Sequence, residues 1–211
     1  CITGFVASFL QSRPDVVVAT SPQFFTAISG WLTSKFKRRP FIFEVSDIWP
    51  ASIKAVGAMQ EGFLLKMLEN LELFLYREAA KVIVLSPSFK TNIVSRGIDP
   101  GKVITVLNGV NTITFFPKKP SITLLKKWGL EDSIVIGYFG TLGMAHALSN
   151  VIETASILKN IDQRIKILFV GSGAEKSQLM KLAEENDNQN VIFIPPQPRK
   201  LMPDFWSICD I

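Results

Sequence analysis

The chain has 211 residues, of which 47% are hydrophobic, 19% charged and 10% aromatic. That balance excludes a disordered chain, and no run reaches the ~18 apolar residues that a membrane-crossing helix needs. The formal net charge of +5 is uneven: residues 1–110 carry 12 Lys/Arg against 8 Asp/Glu, residues 111–211 carry 11 against 10.

The length suits one large domain or parts of two. Cys1 and Cys209 form no disulfide framework, and with a single His they give no zinc spacing. A reducing, cytoplasmic setting fits, and no secretory signal is read. The opening at Cys1 and the close on Cys209-Asp210-Ile211, which reads as the start of a strand, suggest a partial chain.

In chain order, Asp15–Thr20 reads as a buried strand. Ser21 suits a helix cap and Pro22 the first helical position. Phe24, Phe25, Ile28, Trp31 and Leu32 are expected on one face of that helix. The basic run Lys35, Lys37, Arg38 and Arg39 follows; it suits phospholipid head groups, an acceptor diphosphate, or simply a solvated helix end. Pro40–Val45 is the next strand. Residues 61–79 form a long helix with Leu64, Leu68, Leu71 and Leu75 spaced by three and four. Val82–Leu85 is a strand, Ser86-Pro87 starts a helix that Gly97 ends, and Val103–Leu107 is a strand. Strands separated by helices imply a parallel sheet with helices on both faces.

The segment from Asn108 to Asp132, with Phe115-Phe-Pro-Lys-Lys-Pro120 and a short helix ending near Trp128-Gly129, breaks this rhythm and reads as a linker with a lead-in helix. The α/β alternation restarts with a strand at Ile134–Phe139, a helix at 146–158, a strand at Ile165–Val170, a helix at 174–186, a strand at Val191–Ile194 and a helix near Leu201–Ile208.

Three loops follow strand carboxyl ends, where open α/β sheets bind ligands. Gly140-Thr141-Leu142-Gly143 and Gly171-Ser172-Gly173 suit close approach of backbone N–H groups to a diphosphate, helped by a helix dipole; a glycine turn after a strand is more often structural. Pro195-Pro196-Gln197-Pro198 is a stiff loop able to present backbone groups to a flat base. The dinucleotide pattern of three glycines fails, because Lys176 stands at the third position. Asp47, at a strand end, suits orienting an acceptor hydroxyl or capping the next segment. His146 suits a phosphate contact or a helix start, and Lys176 a phosphate contact or a solvated first-turn lysine. Trp31 and Trp49 read as core or interface residues.

Taken together, Gly-Tyr-Phe-Gly140-Thr-Leu-Gly143-Met-Ala-His146, Phe-Val-Gly171-Ser-Gly173-Ala-Glu-Lys and Asn190-Val-Ile-Phe resemble the donor domain of family-four retaining glycosyltransferases. Asn108-Gly-Val-Asn111 with Phe116-Pro117 resembles that family's domain junction. Asp47-Ile-Trp49-Pro50 resembles the WbuB-like L-fucosaminyltransferase branch. The resemblance implies an α/β chain of GT-B type: residues 1–110 as the rear of an acceptor domain, 111–132 as linker, and 133–211 as the front of a nucleotide-sugar domain. It implies the following donor site: Gly140, Thr141, Leu142, Gly143, His146 and Lys176 at the diphosphate, and Gly171, Gly173, Pro196, Gln197 and Pro198 near the base. Asp47 would act on the acceptor side.

The implied partners are a UDP-sugar donor, expected to be a UDP-N-acetyl-amino sugar, and a lipid-linked or saccharide acceptor. Peripheral contact with anionic membrane on the inner face of the plasma membrane is implied, and neither nucleic acid nor a metal or other cofactor. The family's paired glutamates are expected beyond Ile211. Ser46 stands where relatives carry His or Arg, Asn111 where they carry Asp, and the loop after the first donor-domain strand lacks their Arg and Lys. A UDP-sugar 2-epimerase of the same fold, and a non-catalytic nucleotide-binding module or a fragment inactive by itself, are the alternative readings.

Overall fold

The structure is a computed structural model that describes residues 2–21, 24–55, 57 and 59–211. Pro22, expected at a helix start, lies outside the described residues, as does Cys1. The chain divides into two compact units, Cys1–Gly109 and Val110–Ile211.

The first unit is a parallel sheet with strand order β1-β2-β3-β4, formed by Val17–Thr20, Phe41–Val45, Lys81–Val84 and Val103–Thr105. The helices are α1 (Ile2–Ser8), α2 (Phe24–Lys37), α3 (Ala51–Ala55), α4 (Phe63–Glu78) and α5 (Pro87–Ser95). Ser86 caps α5 by accepting from the Phe89 N–H, with Pro87 in the first turn and Gly97 at φ 86° after its end. One core joins Ala19, Phe41, Phe43, Val45, Val82, Val84 and Val103 to residues of α2, α4 and α5. Sequential strand order with right-handed crossovers puts every connecting helix on the same face. The expectation of helices on both faces therefore fails here: Val18 and Ile104, pointing the other way, stay exposed.

Helix faces also differ from expectation. In α2 the buried residues are Phe24, Ala27 and Ser34, with Ile28 and Trp31 packed beside them, while Phe25 and Leu32 face outward. Small residues let the helix approach the sheet: a Cβ on Gly30 would stand 2.6 Å from the Ala19 Cβ. In α4, Leu65 rather than Leu64 is buried with Leu68 and Leu75.

The second unit is a parallel sheet in the order β5-β6-β7, formed by Ile134–Thr141, Ile165–Ser172 and Val191–Ile194. Its helices are α6 (Ile122–Trp128), α7 (Ser149–Ile161), α8 (Lys176–Glu185) and α9 (Met202–Ser207). Residues alternate across this sheet. Ile167 and Phe169 enter a core with Ile152, Ala155 and Leu179 of α7 and α8. Leu168 and Val170 enter another with Leu130, Phe205 and Ile208, against which Leu124, Leu125 and Trp128 of α6 pack. After α9 the chain reverses direction across the sheet. The Asp210 and Ile211 N–H groups donate to the Val135 carbonyl, and the Gly137 N–H donates to the Ile211 carbonyl, all on the side of β5 away from β6. The segment 115–121 belongs to this unit, with Phe115 against Trp206, Lys118 paired to Asp204 and the Ser121 N–H on Ser207 Oγ.

Candidate functional site

Because β5, β6 and β7 are parallel, their carboxyl ends lie along one edge, and the three loops expected to carry chemistry leave from it. The reversal after α9 makes β5 a topological switch point, where connections diverge to opposite faces and leave a crevice at the strand's carboxyl end. The β5 loop, Leu142–Leu148, starts there.

The glycines divide into two kinds. A Cβ on Gly171 would stand 1.9 Å from the Gly140 carbonyl oxygen, and one on Gly173 would stand 2.1 Å from the Leu142 carbonyl oxygen. Both are fixed by contact between the ends of β5 and β6, and neither needs a ligand to explain it. Gly140 and Gly143 are open: the nearest atoms to an added Cβ, Tyr138 Oη and Thr141 Cγ2, lie at 3.6 Å. Gly140 and Thr141 belong to β5, and Gly171 and Ser172 to β6, so the expected loops are shorter than read. Leu142 faces the core, and its N–H donates to the Ser172 carbonyl. It therefore has no donor left for a diphosphate.

His146 ends a single 3-10 turn, Met144–His146, instead of starting a helix. Ala147 at φ 48° breaks the chain direction, and α7 begins at Ser149. The exposed His146 ring meets Tyr138 edge-on at 5.9 Å. Tyr138 donates from its hydroxyl to the Thr141 carbonyl at 2.9 Å, and burial raises its phenol pKa. Sequence reading missed Tyr138; its only signal was a polar aromatic one residue before a strand-end Phe-Gly.

Lys176 opens α8, its N–H bonded to the Gly173 carbonyl. A cation at a helix N-terminus opposes the dipole, and no ion pair of Lys176 is found among the described residues. Pro196 and Pro198 are exposed, and Gln197 folds back to donate from Nε2 to the Pro195 carbonyl at 2.9 Å.

In the first unit, Asp47 follows β2 on a loop held by Ser21. The buried Ser21 Oγ accepts from the Ser46 N–H (3.0 Å) and the Asp47 N–H (3.2 Å) and donates to the Asp47 carbonyl (3.1 Å). Ser21 thus organises the neighbouring strand's loop. Asp47 Oδ2 accepts from Ser52 Oγ at 3.0 Å. Its carboxylate bonds a hydroxyl, not a helix-end N–H, and Oδ1 keeps its lone pairs free among the described residues. Trp49, joined to Pro50 by a cis peptide, stacks on Phe24 at 4.5 Å, and Trp31 donates to Glu78 Oε2; both pack against the core. Ser21 and Ser52 were not singled out for Asp47 from sequence, because their link to it is made across the sheet and one helical turn on.

Two units of parallel α/β sheet, the second with glycines at its strand ends and a switch point, define an α/β protein of GT-B type fold. Residues 2–109 match the model of the glycosyl transferase 4-like domain, and residues 121–211 match that of glycosyl transferases group 1. The chain belongs to this glycosyltransferase family. It is similar to the putative colanic acid biosynthesis glycosyl transferase WcaI of Escherichia coli K12, with 24% identity over 99% of this chain and 53% of that protein. It is also similar to the capsular polysaccharide biosynthesis glycosyltransferase CapM of Staphylococcus aureus, with 22% identity over 92% and 48%. The chain thus spans about half the length of the curated relatives it matches. Among solved structures, Anabaena Alr3699/HepE in complex with UDP and glucose superposes with a TM-score of 0.74 at 17% identity, covering 99% of this chain and 54% of that one.

Proposed function

We propose that this chain contributes to a glycosyltransferase of surface polysaccharide synthesis, which moves a sugar with retention from a UDP donor to a lipid-linked or saccharide acceptor. The observation that carries the reading is the switch point at β5. There, open Gly140 and Gly143 leave room for phosphate oxygens, and Lys176, without an ion pair among the described residues, opens the helix after the adjacent strand. The donor diphosphate lies over Gly140–Gly143 with His146 and Lys176 beside it, and the base lies near Pro196–Pro198. Backbone dipoles and Lys176 then meet the charge that develops as the anomeric C–O bond to the diphosphate breaks. No metal is required in this reading. The two relatives are named for colanic acid and capsular polysaccharide biosynthesis, and the HepE structure holds UDP and glucose; these support the substrate class. A cytoplasmic enzyme of the WbuB-like branch, using a UDP-N-acetyl-amino sugar, follows from the sequence resemblance.

Asp47 is the proposed acceptor-orienting group, held by Ser21 and Ser52. Asp47→Asn in the complete enzyme should lower the transfer rate by roughly 10²–10⁴-fold, the range for a positioned acid–base group. UDP affinity by calorimetry and melting temperature should stay unchanged, because Asn can still accept from Ser52. A near-normal rate would remove Asp47 from the site, and absence of UDP binding by the complete enzyme would overturn the transferase reading.

A further inference from the structure

One side chain braces the β5 loop. Tyr138 is half-buried on β5, and its ring packs against the core through Phe169, with centroids 5.9 Å apart. Residues 138 and 140 share a face of the strand. Gly140 has no side chain there, so the phenol can lie across it: a Cβ on Gly140 would stand 3.6 Å from Tyr138 Oη and 3.8 Å from Cε1 and Cζ. The hydroxyl thereby reaches the Thr141 carbonyl, to which it donates at 2.9 Å. Burial holds the phenol pKa above its ordinary value, so Tyr138 keeps the proton it donates at neutral pH. The same ring meets the His146 ring edge-on at 5.9 Å. Tyr138 therefore touches both ends of the segment 141–146 while its own ring is anchored in the core.

The Thr141 carbonyl and the Leu142 N–H belong to one planar peptide group. Its N–H donates to the Ser172 carbonyl at 2.9 Å, so the group is gripped from both sides, by β6 and by Tyr138. Beyond it, the Leu142 carbonyl accepts from the Glu175 N–H and the Gly143 carbonyl from the His146 N–H, both at 3.0 Å. The Gly143 N–H has no partner among the described residues. From Thr141 to Gly143 the carbonyl oxygens are thus engaged, and the backbone group left over is a donor. A donor suits an anion, whereas an unengaged carbonyl oxygen beside it would repel one. Dipoles fixed in this way act on a charged ligand without having to reorient. We propose that Tyr138 is a positioning residue of the donor site: its hydroxyl holds the Thr141–Leu142 peptide so that the Thr141 carbonyl stays engaged and the Gly143 N–H meets the donor diphosphate. This role rests on the UDP-donor reading, which does not itself use Tyr138.

Tyr138→Phe tests this, because it removes the hydroxyl and keeps the ring against Phe169 and His146. In the complete enzyme it should weaken UDP binding roughly three- to tenfold, the effect of one neutral hydrogen bond. Affinity for uridine, which carries no phosphate, should stay as in the wild type, since the base lies away from this loop in the proposed site. Calorimetry of both proteins with UDP and with uridine measures the two effects. Undiminished UDP affinity in Tyr138→Phe would overturn the role of Tyr138. So would equal weakening of UDP and uridine, which would make the hydroxyl a general support of the fold rather than a device for the diphosphate. Absence of UDP binding by the wild-type enzyme is a separate outcome: it would overturn the donor reading, and the role of Tyr138 with it.

Discussion

Glu72 is 1% exposed, and both carboxylate oxygens are taken: Tyr76 donates to Oε1 at 2.6 Å and Arg96 to Oε2 at 2.6 Å. Burial raises its pKa, against the downward pull of the Arg96 and Tyr76 hydrogen bonds. A carboxylate whose folded pKa lies above its unfolded value loses stability as pH rises through that range. Arg96→Ala removes a lowering cause, so the folded pKa climbs further and the charged form becomes an unpaired buried ion. The variant should lose about 3–5 kcal/mol at pH 7, and the deficit should shrink toward acid pH as Glu72 protonates. Urea unfolding at neutral and mildly acidic pH measures this, and a deficit independent of pH would show that packing alone is lost. Lys176 poses the opposite case, a cation placed against a dipole. Lys176→Gln should stabilise the fold by about 0.3–1 kcal/mol while weakening UDP binding by the complete enzyme roughly ten- to a hundredfold, the loss of one charge-assisted hydrogen bond. A solvated lysine would give the first effect without the second. Lys176 was visible in the sequence as the residue that spoils a dinucleotide pattern. Glu72 was not, because a glutamate on a leucine-rich helix reads as its wet face until Arg96, 24 residues on, is brought to it.

The strand ends of the second unit show what glycine can and cannot report. In sequence, Gly140, Gly143, Gly171 and Gly173 look alike. In the fold, β5 and β6 stay paired through Gly140↔Gly171 and Thr141↔Ser172, so two of the expected loop residues in each case are strand. Gly171→Ala would drive a Cβ into the Gly140 carbonyl and should cost on the order of 3 kcal/mol or more. Gly143→Ala meets nothing closer than 3.6 Å and should change stability by less than about 0.5 kcal/mol. If a diphosphate lies over this loop, Gly143→Ala should nonetheless weaken UDP binding by the complete enzyme. Thermal melts and calorimetry on the pair separate glycines needed for folding from those needed for ligand. Strand positions and the short connections were legible because apolar runs and turn residues are local signals. The start of α7 was not, because the left-handed Ala147 has a side chain that gives no warning of it.

At the scale of the molecule, the two units solve the burial of a parallel sheet differently. In the second, α7 and α8 cover one face, while α6 and α9 cover the other, and the sheet contributes to two cores. In the first, α2, α4 and α5 cover a single face, and the opposite face leaves Val18, Ile104 and the following Val106 about half exposed. Parallel sheets are found almost always with both faces covered, so the second unit meets that condition within its own residues and the first does not. Residues 110–211 produced alone should be monomeric, with a cooperative melt and little binding of a hydrophobic dye. Residues 1–109 alone should bind the dye and self-associate. Changing Val18 and Ile104 to Thr keeps β-branched residues suited to strands and removes apolar surface, so it should reduce both dye binding and association of residues 1–109. Size-exclusion chromatography and dye fluorescence on the three proteins measure this. A monomeric, dye-free unit of residues 1–109 would show that its polar groups on that face, among them Thr20 bonded to Glu44 at 2.6 Å, are enough to keep the sheet stable in water.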